Sequence, residues 1–299
     1  MNIGFDIGGT KIEVCVLDEN GHSVFQKRMP TPSSYAPFLD VIQTLVNDAE
    51  SETQQVFEAI GIGLPGSISP VTGLMRNANC TFINGHDLIA DLKARLNKNV
   101  FVANDANCFA LSEAIDGSAE SGKLVFGAIL GTGCGGGVVF DKQLWNGPSA
   151  LSGEWGHNPL PGYDKAVDGE PRRCYCGRDN CLEQFISGTG LEITYQKISG
   201  QKVNAKEIIE RKRKGEADAT ATYTLLVDQI ARSFSSLINI FDPDIITIGG
   251  GLSNVEELYD DVAKATQPYV FGELFNTRLV PAKYGDSSGI RGAARLVQS

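Results

Sequence analysis

The chain has 299 residues, 42% of them hydrophobic and 21% charged, with a formal net charge of −10 from 26 basic and 36 acidic side chains. That length accommodates two ordinary domains with sizeable cores, and no apolar run approaches the roughly 20 residues needed to cross a bilayer. The acidic balance argues against affinity built on neutralising nucleic-acid phosphates, while a phosphorylated small molecule stays open. Residues 3–7 read as a strand that turns on glycine and resumes at 12–17; after Asp18-Glu19-Asn20-Gly21 a third extended run reaches Met29, a strand meander with an Asn-Gly turn. Phe38, Leu39, Ile42, Leu45, Val46 and Ala49 recur at helical spacing. A strand over 59–64 follows, then a helix over 88–96, a strand at 100–102 and a helix over 105–114. Around residue 125 the opening design recurs, as a strand over 124–130, a glycine turn, a strand over 137–140 and a turn at Asp141-Lys142. The chain therefore reads as internally duplicated. Helical patterns over 204–214, 219–241 and 254–265, with a buried strand at 245–248, complete the series, which predicts α/β layers with mixed sheets.

Three glycine-rich turns stand out: Gly8-Gly9 within Asp6-Ile7-Gly8-Gly9-Thr10-Lys11, the run Gly131-Thr132-Gly133-Cys134-Gly135-Gly136-Gly137, and Gly249-Gly250-Gly251. Each leaves backbone N–H groups free to point at anionic oxygens, although a single such turn is more often a plain hairpin. Two of them occupy equivalent places in the repeat, which points to a nucleotide held between two halves. None matches the P-loop or the dinucleotide-binding pattern. Asp6 ends a strand, where a carboxylate can hold Mg²⁺ directly or through water; a solvated turn aspartate is the plain alternative. Asp105 follows a strand and begins a helix, a favoured N-cap position that also aims N–H groups at a polar ligand.

Cys174, Cys176 and Cys181 fall close together, and His157, one of only three histidines, precedes them. A Cys₃His set suits a four-coordinate structural zinc. The stretch Arg172 to Cys181 is polar and turn-rich, unlike a cluster of buried apolar thiols. Seven cysteines is an odd number, and the N-terminus carries no signal-peptide pattern, so a reducing cytosol is expected rather than a disulfide framework. Cys15, Cys80, Cys108 and Cys134 read as reduced packing residues, and His22 and His86, each after an Asn-Gly turn, as surface.

Together these residues resemble the ROK family of sugar kinases, in the actin-like, hexokinase-type superfamily, from Met1 to the C-terminus. The resemblance rests on the Asp6 to Lys11 loop, Gly63-Leu64-Pro65-Gly66, Asn104-Asp105-Ala106-Asn107, the phrase Gly153-Glu154-Trp155-Gly156-His157 with the cysteine knuckle, and the stretch from Gly285 to Ala294. Asn180 stands where the family's knuckle often has glycine; because Asn tolerates positive φ, the turn is expected to survive. The implied fold is α/β, a duplicated actin-like arrangement of two lobes with mixed sheets flanked by helices and a nucleotide cleft. The expected lobes are a smaller one, 1–117 with 289–299, and a larger one, 118–288, that carries the knuckle.

The resemblance implies an ATP-dependent kinase that phosphorylates the 6-hydroxyl of D-fructose, and also mannose. It is similar to the manno(fructo)kinase type through Ser67-Ile68-Ser69-Pro70, Trp155 and Asn158-Pro159-Leu160-Pro161. An N-acetylglucosamine kinase or a glucokinase of the same family is the alternative. Readings of another class are a sugar-responsive regulator, disfavoured by a nucleotide loop that starts at residue 6 and by the negative charge, and a non-enzymatic zinc module. By the resemblance Asp105 is the general base, and Gly66, Asn79, Asn104, Glu154, His157 and Glu183 join it as partners of the sugar, His157 also serving zinc with Cys174, Cys176 and Cys181. Gly4, Phe5, Asp6, Ile7, Gly8, Gly9, Thr10 and Lys11, the run Gly131 to Gly137 and Gly249 to Gly251 bind ATP, with Mg²⁺ on Asp6. Asp286 to Gly289 are expected to cap the last helix. Expected partners are the sugar and Mg-ATP, with a homodimer in the cytoplasm and neither nucleic acid nor membrane.

Overall fold

The computed structural model describes residues 1–298. Its elements, in chain order, are β1 (Asn2–Ile7), β2 (Lys11–Leu17), β3 (Ser23–Pro30), α1 (Tyr35–Thr53), β4 (Ala59–Leu64), the short hairpin β5 (Ser67–Ile68) with β6 (Met75–Arg76), α2 (Leu88–Leu96), β7 (Asn99–Asn104) and α3 (Asp105–Ile115). The second meander is β8 (Leu124–Leu130), β9 (Cys134–Phe140) and β10 (Gln143–Leu144). After it come α4 (Lys165–Asp168), α5 (Glu183–Ile186), α6 (Gly188–Ser199), α7 (Ala205–Arg213), α8 (Ala217–Phe241), β11 (Ile245–Gly249), α9 (Glu257–Thr266), β12 (Arg278–Pro281) and α10 (Ser288–Arg295).

The duplication is visible in the strand order. One sheet runs β3-β2-β1-β4-β7 and the other β10-β9-β8-β11-β12. In each, the first strand of the meander pairs in parallel with the strand after it in the order, and that strand pairs in parallel with the edge strand. Sequence patterning missed α6, which opens on Gly188-Thr189-Gly190, and β12, only four residues long and closed by Pro281. Short elements that carry glycine or proline have little periodicity to read.

Contacts divide the chain into two compact units. One holds Met1–Glu120, Gly137–Ser152 and the C-terminal segment from Lys283; the other holds Ser121–Gly136 and Gly153–Ala282. Relative to the boundaries read from the sequence, Ser118–Glu120, Gly137–Ser152 and Lys283–Ser288 fall in the first unit.

In the first unit, alternation along the strands separates two apolar faces. Ile3, Phe5, Ile7, Ile12, Val14 and Val16 meet α1 and α2 through Phe38, Ile42, Leu45, Leu88 and Leu92. Cys15 and Leu17 face the other way, against Ile290 and Ala294 of α10. Here the chain approaches itself backbone to backbone. A Cβ on Gly4 would stand 2.2 Å from the Ala294 nitrogen, one on Gly61 1.8 Å from the Ala293 carbonyl oxygen, and one on Gly292 1.7 Å from the Cys108 carbonyl oxygen. Glycine at these positions lets α10 seat between the sheet and α3.

In the second unit, the ring of Trp155 stacks on Phe234 of α8, with centroids 5.7 Å apart, and meets Phe126 of β8 edge to face at 5.4 Å. Its indole N–H donates to the Gly135 carbonyl at 2.8 Å. Among the described residues, no helix is long and apolar enough to cross a membrane.

A methyl group at position 292 has no free volume to enter, so Gly292→Ala is expected to destabilise the fold by about 3 kcal/mol, at the upper end of the cost of overpacking. Gly289, on the same helix, has open space where its Cβ would go. Gly289→Ala should therefore be neutral or stabilising by up to ~1 kcal/mol through helix propensity. Urea denaturation of both variants reads the contrast, and equal stabilities would contradict this account of α10.

Candidate active site and metal centre

Parallel pairing of β1, β4 and β7 brings the turns after these strands to one edge of the first sheet. Asp6 lies near the end of β1, Gly66 follows β4, and Asn104-Asp105 forms the junction of β7 with α3. Asn104 is the N-cap of α3: its side-chain oxygen accepts the Ala106 N–H at 2.8 Å, and its amide donates toward the Gly66 carbonyl oxygen at 3.5 Å. Because Asn104 holds the cap position, Asp105 stands at the first helical residue, with Oδ1 also 2.8 Å from the Ala106 nitrogen. Asp105 is exposed. Desolvation raises its pKa against the opposing pull of the Ala106 and Asp105 N–H groups. Burial raises Asp6 as well, followed by the charge of Asp105, while Lys11 and Arg28 oppose the shift. Perturbed carboxyls of this kind mark a candidate functional site.

The Gly8-Gly9-Thr10 turn is tied down from several sides. Gly8 N–H donates to the Lys11 carbonyl at 2.9 Å, and the Thr31 hydroxyl donates to the Gly8 carbonyl at 2.7 Å. Gly9 and Thr10 stay exposed, with open space beside Gly9. Lys11 leans on Glu13 at 3.4 Å, a buried carboxylate that also accepts from Arg28 Nε at 2.9 Å. Gly4, Phe5 and Ile7, expected among the ATP contacts, have another place. Phe5 and Ile7 are 0% exposed in the core, and Gly4 lies under α10. They support the loop from beneath. Asn79 is exposed in the turn after β6. Asp286 to Gly289 do not cap α10 as expected: no side chain caps the helix at Ser287, and the Ser288 hydroxyl donates instead to Glu113 at 2.7 Å.

The second unit repeats the plan. The turn Gly131-Thr132-Gly133 follows β8, Gly250 follows β11 with φ +78°, and the Gly250 Cα lies 3.8 Å from where a Cβ on Gly131 would be. Gly188 at the start of α6 donates its N–H to the Gly131 carbonyl at 2.7 Å. These turns border a cavity of about 720 Å³, whose other walls include Thr189, Lys206, Ile209, Arg213, Asn254 and Val255. A lining that mixes apolar side chains such as Ile209, Leu252 and Val255 with polar and charged ones can hold a small polar molecule. Of the lining, sequence reasoning reached Gly131, Thr132 and Gly251; the residues from α6 and α7 carry no motif and are joined to the site only by packing. Later members of the glycine run do something else. Cys134 is buried, Gly136 makes room for Trp155 and Phe126, and Gly137 makes room for α3.

Trp155 anchors the turn Glu154–His157, so Glu154 and half-buried His157 flank a fixed indole. Trp155 itself is 4% exposed, a core residue with no surface left for reading a sugar. Glu183 opens α5, and its carboxylate accepts the Cys134 N–H at 3.2 Å, which joins the knuckle to the glycine run. Arg172 enters the knuckle as a buried strut. Its guanidinium donates to Thr194 Oγ1 at 2.8 Å and sits 4.3 Å above the Phe185 ring; desolvation lowers its pKa to about 10. Asn180 adopts φ +59°, so the left-handed turn is kept without glycine, and its side chain accepts the Arg172 N–H at 2.9 Å.

The ligand atoms of His157, Cys174, Cys176 and Cys181 all lie within 4.8 Å of one another. Cys176 Sγ is 3.5 Å from Cys181 Sγ, and Cys174 Sγ is 3.6 Å from His157 Nδ1. Bonds of about 2.3 Å to sulfur and 2.0–2.1 Å to nitrogen give tetrahedral edges of about 3.6–3.8 Å, so the donor set fits zinc. The Cys176 thiol is held down to about 6, first by the Arg178 N–H, which favours the thiolate a metal needs.

The ROK family profile matches residues 2–299. The N-acetyl-D-glucosamine kinase of Haemophilus influenzae (strain 86-028NP) is 39% identical, with 99% of this chain and 99% of that protein aligned. The structure of a ROK hexokinase from Thermus thermophilus superposes with a TM-score of 0.86 at 28% identity, covering 99% of this chain and 97% of that one. That of a ROK family glucokinase from Streptomyces griseus in complex with glucose and AMPPNP has a TM-score of 0.76 at 27% identity, covering 100% and 99%.

The purified protein is expected to carry about one zinc per chain by elemental analysis, consistent with a single closed four-ligand site. Cys181→Ser should lose it and lower the melting temperature. A Cys181→Ser protein as stable as wild type, or a wild type free of zinc when purified without chelator, would count against the metal centre.

Proposed function

Because the chain belongs to the ROK family and is an ATP-dependent sugar kinase, we propose that its acceptor is N-acetyl-D-glucosamine, phosphorylated at the 6-hydroxyl. One observation carries the choice of sugar: relatives named for that activity align over nearly the whole of both chains at 37% to 40% identity. The features that favoured fructose do not offset this, since Trp155 is core and Ser67-Ile68 forms one strand of a two-stranded hairpin.

On this reading Asp105 accepts the proton of the attacking hydroxyl. One carboxylate oxygen, Oδ1, shares the Ala106 N–H with Asn104, which leaves Oδ2 to take the proton, and the raised pKa makes Asp105 a better base than a solvated aspartate. Asn104, the Gly66 backbone, Glu154, His157 and Glu183 are the groups assigned to orienting the sugar. In the first unit the N–H groups of Gly9 and Thr10, and in the second those of Thr132 and Gly133, are the candidates for phosphate oxygens, and the cavity beside Ile209 and Val255 would take the nucleoside. Asp6 is the carboxylate that would hold Mg²⁺, whose positive charge would offset the negative charge spread over the transferring phosphoryl group. Zinc, held by His157 and the three cysteines, would be structural, since four protein ligands leave no open position for a catalytic water. The same reading takes the chain as a homodimer.

In a coupled ADP-release assay over N-acetylglucosamine, N-acetylmannosamine, glucose, mannose and fructose, kcat/KM should be highest for N-acetylglucosamine. A higher value for fructose would restore the earlier reading. Asp105→Asn should lower kcat by about 10² to 10⁴ with nucleotide affinity by calorimetry unchanged. In the wild type, kcat/KM should fall toward acid pH as Asp105 takes up its proton, with the inflection above the ordinary 3.8 because its pKa is raised. Wild-type kcat in the Asn variant would remove Asp105 from the chemistry.

A further inference from the structure

The knuckle holds one side chain that the chemistry above leaves unused. Tyr175 lies between the ligands Cys174 and Cys176, is 80% exposed, and puts its phenol oxygen 3.0 Å from His157 Nε2. The two rings meet edge to face with centroids 5.1 Å apart. The other imidazole nitrogen, Nδ1, faces the Cys174 sulfur and belongs to the metal centre. A neutral imidazole with Nδ1 given to a metal carries its proton on Nε2. With Nδ1 on a metal, that single N–H is the only donor the ring can offer a ligand, and the Tyr175 oxygen would be its acceptor.

A sugar that uses His157 needs the same donor. An N–H in good geometry serves one acceptor well, so phenol and sugar hydroxyl exclude each other there. The surroundings suit exchange. Tyr175 is exposed, and the knuckle does not rely on it: Cys174 N–H bonds to the Arg178 carbonyl at 2.9 Å, Asn180 N–H to the Arg172 carbonyl at 2.8 Å, and the Arg172 guanidinium to Thr194. We propose that the Tyr175 hydroxyl is a displaceable stand-in for a sugar hydroxyl at His157 Nε2. It orients the imidazole in the free protein and lowers affinity for the sugar by the hydrogen bond that must be broken. The inference rests on the reading that His157 contacts the acceptor sugar.

Tyr175→Phe keeps the ring and removes the competing oxygen. Calorimetry of the full-length protein with N-acetyl-D-glucosamine, without nucleotide, should give a Kd about 2- to 10-fold lower in the variant, the range for one modest hydrogen bond. KM should fall in step, with kcat and zinc content unchanged. In nitrogen-15 spectra of the histidines, the His157 Nε2–H signal should differ between wild type and Tyr175→Phe in the free proteins and coincide at saturating sugar. Equal or weaker binding by the variant, or signals that still differ at saturation, overturns the stand-in while leaving the kinase reading intact. Failure of the wild type to bind or phosphorylate any sugar of the panel overturns that reading and the stand-in with it.

Discussion

Parallel strand pairing is the constraint on which the candidate site depends. A parallel ladder has all its carboxyl ends at one edge, so whatever follows those strands is gathered there without any long-range instruction in the sequence. In the first unit the edge collects Asp6, Gly66 and Asn104-Asp105 from β1, β4 and β7. In the second it collects the turns at Gly131 and Gly250 from β8 and β11. Duplication of the strand order means that the same rule is applied twice, once around carboxylates and once around a nucleoside-sized cavity.

Close packing holds that edge in place. Gly4, Gly61 and Gly292 let α10 reach backbone contact with the sheet and α3, while Gly136 admits the Trp155 indole. Trp155 in turn fixes the turn that carries Glu154 and His157, so a core side chain positions two polar ones. The abundance of glycine therefore has two origins. Some of it lies in exposed turns with open space around it, as at Gly9, and some exists because no Cβ fits.

Electrostatics separates the roles of the acidic groups. Asp105 and Asp6 are both pushed upward by desolvation, and Asp6 further by the charge of Asp105. Glu183 is engaged by the Cys134 N–H and links the knuckle to the glycine run. Glu113, fully buried, accepts from Ser118, Lys283 and Ser288 and holds the returning C-terminal segment on α3. Each carboxylate is defined by the N–H groups and charges around it, information that residue type alone does not carry.

Local signals in the sequence determined a good deal. The strands at 59–64 and 124–130 and the helix at 88–96 appear with the bounds that periodicity assigned, and Asn180 adopts the positive φ its chemistry allows. Spacing was also enough to mark the zinc-type ligand set, because three cysteines in one short loop leave few other uses. Only the tertiary structure decided the rest. Whether a glycine serves an anion or a neighbouring backbone depends on what lies beyond it, so Gly4 and Gly9 look alike in sequence and differ in the fold. The cavity walls at Thr189, Lys206 and Ile209 come from helices with no motif, joined by packing across long sequence separations. That Asn104 holds the cap and Asp105 the first helical position, with both side chains reaching the same Ala106 N–H, is settled by the geometry of one helix start.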